Sequence, residues 1–373
     1  MRKKVLVIGM GTSVFGLEKQ TVEVFKFIKN VEPYFLISKY EDGSVSNLLK
    51  VNNIKFEHVS TGYIGRYNLI WTLITVVQIP ILYIKLVSTY FKNGCNSILI
   101  LNTHPIINAT FVFLFLKYFF NAKIFFYFHN IPTNLKAFNK LFYYIIEKIS
   151  YKIITVSSFV KNKLIDVGID KNKIVAVYNG INLNKFVKID TKRINSKFVI
   201  GYVGQFYKEK GIFDFVDAAN LLLSKDEKFM FLMFGKKNAD YNSLMDYISQ
   251  SNISKHFQFE GWIDEIETIY SSLDILVFPS IIEEGFGLVN IEAMACKIPV
   301  IAANSGAIKE IVVDGETGYL VEKNNPQQIA DCILKIVADK DLSQQMGKSA
   351  RSRVEEHFDI EKNSRKIEEI LLN

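Results

Sequence analysis

Short apolar runs rich in β-branched and aromatic residues alternate along this chain with longer stretches of helical periodicity. Six runs precede a polar segment around residues 185–197: residues 4–8, 34–37, 98–101, 123–128, 152–156 and 174–177. Six more follow it, at residues 199–203, 229–234, 257–259, 275–278, 300–302 and 318–320. Runs that are apolar throughout, and not at every second position, predict strands buried on both faces, as in parallel sheets covered by helices. Two such series predict an α/β protein with two doubly wound Rossmann-like domains. Open sheets of this kind bind ligands beyond the carboxyl ends of their strands, so two facing sheets would put a site in the cleft between them. The expected boundaries are residues 1–190 for the first domain and 197–355 for the second. Residues 356–373 are expected to form a C-terminal helix that crosses back to the first domain.

Length agrees with this division, because 373 residues exceed the ~250–300 at which one hydrophobic core stops growing. Cys95, Cys296 and Cys332 lie too far apart for a CxxC site or a disulfide framework, which points to a reducing compartment. Charge changes the picture more. Residues 1–195 carry 26 Lys+Arg against 10 Asp+Glu, whereas residues 196–373 carry 19 against 28. A basic half implies an anionic partner. Because this half also holds the apolar stretches "LIWTLITVVQIPILYIKLV" and "FVFLFLKYFF", the expected partner is an anionic membrane surface and not nucleic acid. A Lys-rich surface that serves only solubility is the alternative. Residues 69–84 are interrupted by Gln78 and Pro80 and fall short of the ~20 apolar residues that span a bilayer, so a buried or interfacial helix is expected there. The opening Arg2-Lys3-Lys4 and the apolar run after it break at Gly9 and Gly11, which fits a first strand entering a glycine loop better than a leader peptide. The expected location is the cytoplasm, peripheral on the inner face of the cell membrane.

The segment richest in chemistry runs from Ser280 to Ala295, "SIIEEGFGLVNIEAMA", after an apolar strand that ends at Pro279. Gly285 and Gly287 allow close backbone approach to a ligand, and the helix start behind them offers N–H groups to an anion. Glu284 lies in the loop and Glu292 on the helix, so two carboxylates can accept from hydroxyls of one ligand from different elements. Taken alone, a Gly-rich turn with a capping Glu and a solvated helix Glu would also explain the segment. Asp339 and Asp341 form a D-x-D in a polar region, read as solvated; His58, His104, His129, His256 and His357 lack metal-ligand spacing. No metal or other cofactor is expected.

In context, "EEGFGLVNIEAMACKIPVIAANSGAIKEIVVDGETGYLV", preceded by "GWIDEIETIYSSLDILVFPS", resembles the retaining glycosyltransferase family 4 of GT-B fold. "VSSFVKNKLIDVGIDKNKIVAVYNGINLNKF" resembles the close of that family's first domain, and "FYFHNIP" its His-containing strand end. The resemblance implies that Glu292 holds the ribose hydroxyls of a nucleotide. It implies that Glu284 stands at the donor-sugar hydroxyls, beside the N–H groups of Phe286, Gly287 and Leu288. His129 corresponds to the histidine that faces the donor sugar, and Lys210 to a lysine for the diphosphate. Gln205 stands where the family usually has arginine, and Phe15-Gly16 where it usually has two glycines. Gln205 can donate a neutral hydrogen bond but cannot neutralise charge, so Lys208 or Lys236 would have to supply the cation.

The implied chemistry is transfer of a sugar, with retention, from a nucleotide-diphosphate sugar to a hydroxyl acceptor, in which charge stabilisation and positioning do most of the catalysis. The expected acceptor is a saccharide or lipid-linked saccharide of cell-surface polysaccharide synthesis. Two alternatives remain at this stage: a catalytically silent GT-B-shaped binding subunit, and a related GT-B phosphorylase or sugar-nucleotide epimerase.

Overall fold

In the computed structural model, residues 2–60, 69–101, 104–132, 136–188, 197–261, 263 and 266–373 are described. The chain divides into two compact units: Met1–Asn179 with Ile360–Asn373, and Gly180–Asp359.

The first unit is built on seven parallel strands: β1 (Lys3–Ile8), β2 (Val31–Ser38), β3 (Lys55–Val59), β4 (Ser97–Ile100), β5 (Lys123–Phe128), β6 (Lys152–Thr155) and β7 (Ile174–Ala176). Their order is β3-β2-β1-β4-β5-β6-β7, so the winding reverses between β1 and β4, where Val5 pairs with Ser97 and Ile8 with Ile100. Val5, Leu6, Val7, Ile98 and Phe125 are fully enclosed, which is why these strands read as unbroken apolar runs. All six strands expected in this half are present, and β3 is a seventh that hydropathy did not reveal. It lies at the sheet edge with only Val59 buried, so its sequence KFEHV carries no apolar run. Glu57 anchors it, accepting from Tyr34 Oη at 2.7 Å and from the ammonium groups of Lys85 and Lys92.

Helix Ile360–Leu372 belongs to this unit. Lys3 Nζ donates to Leu371 O at 2.6 Å, placing a cation on the unsatisfied carbonyls of the helix end. Glu368 on the same helix accepts from the backbone N–H groups of Lys29 and Asn30.

The second unit carries β8 (Phe198–Val203), β9 (Phe229–Phe234), β10 (Phe257–Gly261), β11 (Ile275–Phe278), β12 (Val300–Ala303) and β13 (Gly318–Val321), all parallel. Their order is β10-β9-β8-β11-β12-β13, and the winding reverses between β8 and β11, where Ile275 pairs with Ile200. These are the six strands expected from hydropathy. The core packs Tyr202, Phe229 and Phe231 of the sheet and Phe215 of helix Ile212–Leu223 with Ile329, Ile333 and Met346 from the C-terminal helices.

The division of the chain falls at Asn179 and Gly180, ahead of the polar segment whose residues 189–196 lie outside the described residues. Residues 181–186 are fastened to the second unit, which explains the position. Ile181 N donates to Phe358 O at 2.9 Å, and Arg351 Nη1 donates to Phe186 O at 2.9 Å and Ala295 O at 3.0 Å. Asp339, read from sequence as part of a solvated loop, is the N-cap of helix Lys340–His357 and accepts from Leu342 N at 2.9 Å. Among the described residues no helix is long and apolar enough to cross a membrane.

Candidate active site

The second unit gathers seven of the expected site residues near its winding switch. β11 ends in the buried Phe278-Pro279-Ser280, and a loop then leads into helix Leu288–Ala295. A short turn at Lys208–Lys210 crosses this strand end. Ile281 N donates to Glu209 O at 2.9 Å, and Gly211 passes so close that a Cβ there would lie 2.0 Å from Pro279 O. Gly211 also has φ +73°, so glycine is required twice over. This crossing puts Lys210 against Glu284: Lys210 Nζ donates to Glu284 Oε1 at 2.7 Å, and Ser280 Oγ donates to the same oxygen at 2.5 Å. Both partners of the pair are mostly buried, with side chains 23% and 14% exposed. The backbone of Glu284 is fixed separately, as Ala307 N donates to Glu284 O at 2.9 Å and Gly306 packs against its peptide.

Glu292, half-buried on the helix, accepts from Tyr270 Oη at 2.6 Å. Tyr270 is fully enclosed, and burial first and the charge of Glu292 second push its hydroxyl well above the ordinary tyrosine range. It therefore remains a proton donor to that carboxylate at any physiological pH. Sequence reasoning missed both Tyr270 and Ser280. Ser280 was visible in the Pro-Ser pair that ends β11, whereas nothing local in the sequence ties Tyr270 to a glutamate 22 positions away.

Phe286 is buried edge-on against Phe358, with ring centroids 5.7 Å apart. Gly287 has φ +112° and caps the helix that Leu288 opens. The first N–H groups of any helix lack intrahelical acceptors, so this end suits an anion. Gln205 is half-buried; its backbone carbonyl accepts from Tyr202 Oη at 2.7 Å and Tyr207 N at 2.9 Å. Burial, with the charge of Glu284 second, raises the Tyr202 hydroxyl far above its ordinary range. Lys208 and Lys236, the two cations expected to stand in for the missing arginine, are both exposed.

The first unit holds the other two expected residues at the carboxyl ends of β1 and β5. Gly16 opens helix Gly16–Phe27 behind the glycine loop. Within that loop the buried carboxylate of Glu18 accepts from Gly11 N at 2.9 Å and Phe15 N at 3.0 Å. Two of the amides that a phosphate could have used are thus taken by the chain's own carboxylate. His129 follows β5 and is buried with its ring 4.1 Å from that of Tyr127. Its Nε2 meets no hydrogen-bond partner among the described residues, and burial lowers its pKa to about 3. At neutral pH it is an uncharged imidazole that can exchange a hydrogen bond with a hydroxyl but carries no charge. Among the described residues no three His, Cys, Asp or Glu side chains are placed to hold a metal ion.

Two family models meet on this chain at residue 185. The one described as "Glycosyltransferase Family 4" matches residues 73–185, and the one described as "Glycosyl transferases group 1" matches residues 185–353. The chain thus carries a family 4 glycosyltransferase domain followed by a group 1 glycosyltransferase domain, which together span residues 73–353. Among curated relatives it is similar to the capsular polysaccharide biosynthesis glycosyltransferase CapM of Staphylococcus aureus, 33% identical over 60% of this chain and 63% of CapM. It is also similar to an Escherichia coli UDP-Gal:α-D-GlcNAc-diphosphoundecaprenol α-1,3-galactosyltransferase, 26% identical over 55% of each chain. The match thus spans less than two-thirds of the length of these relatives. Among solved structures, Anabaena Alr3699/HepE in complex with UDP superposes with a TM-score of 0.84 over 99% of both chains, at 18% identity. A Rickettsia africae glycosyltransferase superposes with the same TM-score over 99% of this chain and 97% of its own, at 24% identity. At such identities the likeness is one of fold, and the fold is the pair of Rossmann-like units of the GT-B class.

Proposed function

We propose that this chain is a retaining, nucleotide-sugar-dependent glycosyltransferase of cell-surface polysaccharide synthesis. The observation that supports it most is the arrangement at the end of β11, where Lys210 meets Glu284 ahead of the helix that carries Glu292. On this reading Glu292, held by Tyr270, accepts from the ribose hydroxyls. Glu284 accepts from hydroxyls of the donor sugar, and Lys210 turns from Glu284 to the diphosphate as the leaving group gains charge. Fixed cations and N–H groups aimed at the leaving oxygen stabilise charge that appears only in the transition state, which accelerates the step instead of merely tightening binding. His129 serves as a neutral hydrogen-bond partner of the donor sugar. The acceptor is the hydroxyl of a lipid-linked saccharide, and the enzyme works as a peripheral protein at the cytoplasmic face of the membrane. UDP in the HepE complex and the diphosphoundecaprenol substrate named for the Escherichia coli relative support this choice of donor and acceptor class.

The test is incubation with a panel of nucleotide sugars and lipid-diphosphate saccharides, reading nucleoside diphosphate release and the anomeric configuration of the product by NMR. Release with inversion would refute the retaining assignment, and no release with any donor would refute the enzyme reading. That second outcome would favour a catalytically silent binding subunit, for which the specific observations are Gln205 in place of a cation and the Glu18 carboxylate bound to the loop amides.

A further inference from the structure

The exposed apolar surface of the first unit is concentrated on helices that the proposed chemistry does not use. In helix Leu69–Lys92, Leu82, Leu86 and Tyr90 are buried while Ile81, Ile84 and Phe91 are 54%, 71% and 46% exposed. In helix His104–Phe120, Val112, Phe113 and Leu116 are buried while Phe111, Tyr118 and Phe119 are 75%, 70% and 76% exposed. Each helix is therefore apolar on two faces, and a helix apolar all round is normally enclosed by protein or in contact with lipid. Phe91 of the first helix meets Phe120 of the second with ring centroids 4.7 Å apart, and within the second helix Phe115 and Phe119 lie 5.3 Å apart. Between the helices lies an open groove of about 570 Å³ lined by Tyr83, Ile84, Val87, Phe111, Val112 and Phe115, with no charged side chain in its walls. The neighbouring helix Lys136–Ile149 adds the exposed Leu141 and Tyr144.

Charge decides what covers this surface. Residues 69–151 contain seven lysines, no arginine and a single acidic residue, Glu147. Lys85 and Lys92 are matched by Glu57. Lys117 caps the carbonyl end of helix Lys136–Ile149, and the exposed Lys148 lies 5.1 Å from the ring of Tyr144. An apolar face flanked by Lys117 and Lys148, in a segment of seven lysines and one acid, complements a surface that is anionic outside and apolar within, which describes a bilayer of acidic phospholipid. A second copy of the chain would bring the same cations against themselves.

We propose that helices Leu69–Lys92 and His104–Phe120 form a lipid-docking face that lies in the plane of an anionic bilayer, with Phe111, Phe119 and Ile84 entering the acyl boundary. The face deepens the lipid-linked acceptor reading above and rests on it only for its purpose. Lipid binding is measured without any sugar transfer, so the two can fail separately. The full chain is sedimented with vesicles of phosphatidylcholine, with and without phosphatidylglycerol, at about 0.1 M salt, where exposed charges act over ~10 Å. Binding at least about tenfold stronger to the anionic vesicles is expected. The variant Phe111→Ser with Phe119→Ser should weaken it by about tenfold or more at unchanged melting temperature, because both side chains already face solvent. Donor turnover with a soluble acceptor should be the same in variant and parent. Lys117→Gln with Lys148→Gln should reduce the salt dependence. No binding to anionic vesicles, or binding indifferent to the phenylalanine substitutions, would overturn the proposal. So would a vesicle-free dimer that the same substitutions dissociate, since the face would then be buried between two copies.

Discussion

Replacing Gly306 by alanine is a direct test of whether the position of Glu284 matters to catalysis. Gly306 has φ +61°, and a Cβ there would lie 2.3 Å from Glu284 O and 2.5 Å from Glu284 N. Both obstacles are backbone atoms, which have no rotamer to retreat into. Going from 2.3 Å to the 3.4 Å of ordinary contact takes a shift of about 1 Å in the Glu284 peptide. That shift strains the hydrogen bonds of 2.5 Å from Ser280 and 2.7 Å from Lys210 that aim the carboxylate. A misplacement of ~1 Å in a positioning group can cost about 10²-fold in rate, so kcat for sugar transfer should fall by about that factor. The left-handed backbone adds a further ~1–2 kcal/mol of folding cost, which appears in the melting temperature and not in kcat. Gly315→Ala isolates that second effect, because Gly315 has φ +76° and nothing within 4 Å of its added Cβ. Steady-state turnover and thermal melting of both variants are the assay. Gly306→Ala with kcat within about twofold of the parent, or Gly315→Ala with an equal loss, would refute the argument from Glu284 geometry.

Four other outcomes follow from the same structure. Glu292→Ala should weaken nucleoside diphosphate binding by about 1.5–3 kcal/mol, the contribution of hydrogen bonds to a charged acceptor, as read by calorimetry. Tyr270→Phe should raise KM for the donor more than it lowers kcat, because it removes a hydrogen bond that orients the Glu292 carboxylate; steady-state kinetics with ribo- and 2′-deoxyribonucleotide donors should show reduced discrimination between them. Lys210→Ala should damage turnover more than Gln205→Ala, since Lys210 alone of the two is a cation held at Glu284, and Gln205→Arg should raise turnover if neither Lys208 nor Lys236 fills the site; single-turnover rates rank the three. His129 has a folded pKa near 3 against an ordinary 6.5, so the unfolded chain binds the proton between those values. The stability this contributes is complete above about pH 6.5 and is lost at about 1.4 kcal/mol per pH unit as pH falls toward 3, a slope that His129→Gln should remove from denaturant midpoints measured across that range.

The twelve apolar runs stood out because strands enclosed on both faces have no polar positions to interrupt them, as in the fully buried Val5-Leu6-Val7 of β1. β3 escaped for the opposite reason: on an edge strand with one buried residue, hydropathy has little to report, and its place is secured by Glu57 reaching Tyr34, Lys85 and Lys92 across the fold. The loop from Ser280 to Leu288 and its two glutamates were likewise legible, because glycine spacing, a strand end and a helix start are local features. The partners of those glutamates were not. Whether Lys210 lies beside Glu284 depends on Gly211 letting one loop pass within van der Waals reach of Pro279, and the two residues are 74 positions apart. Tyr270 reads as one more aromatic of the short helix Ile266–Ser271 until the packing of that helix against Leu288–Ala295 turns its hydroxyl onto Glu292. The charge excess of the first half was countable from composition, but which of its apolar residues face outward was not. Period and composition are properties of a segment, whereas the pairing of a buried donor with its acceptor, or the exposure of Phe111 beside the burial of Val112, depends on what the rest of the chain packs against it.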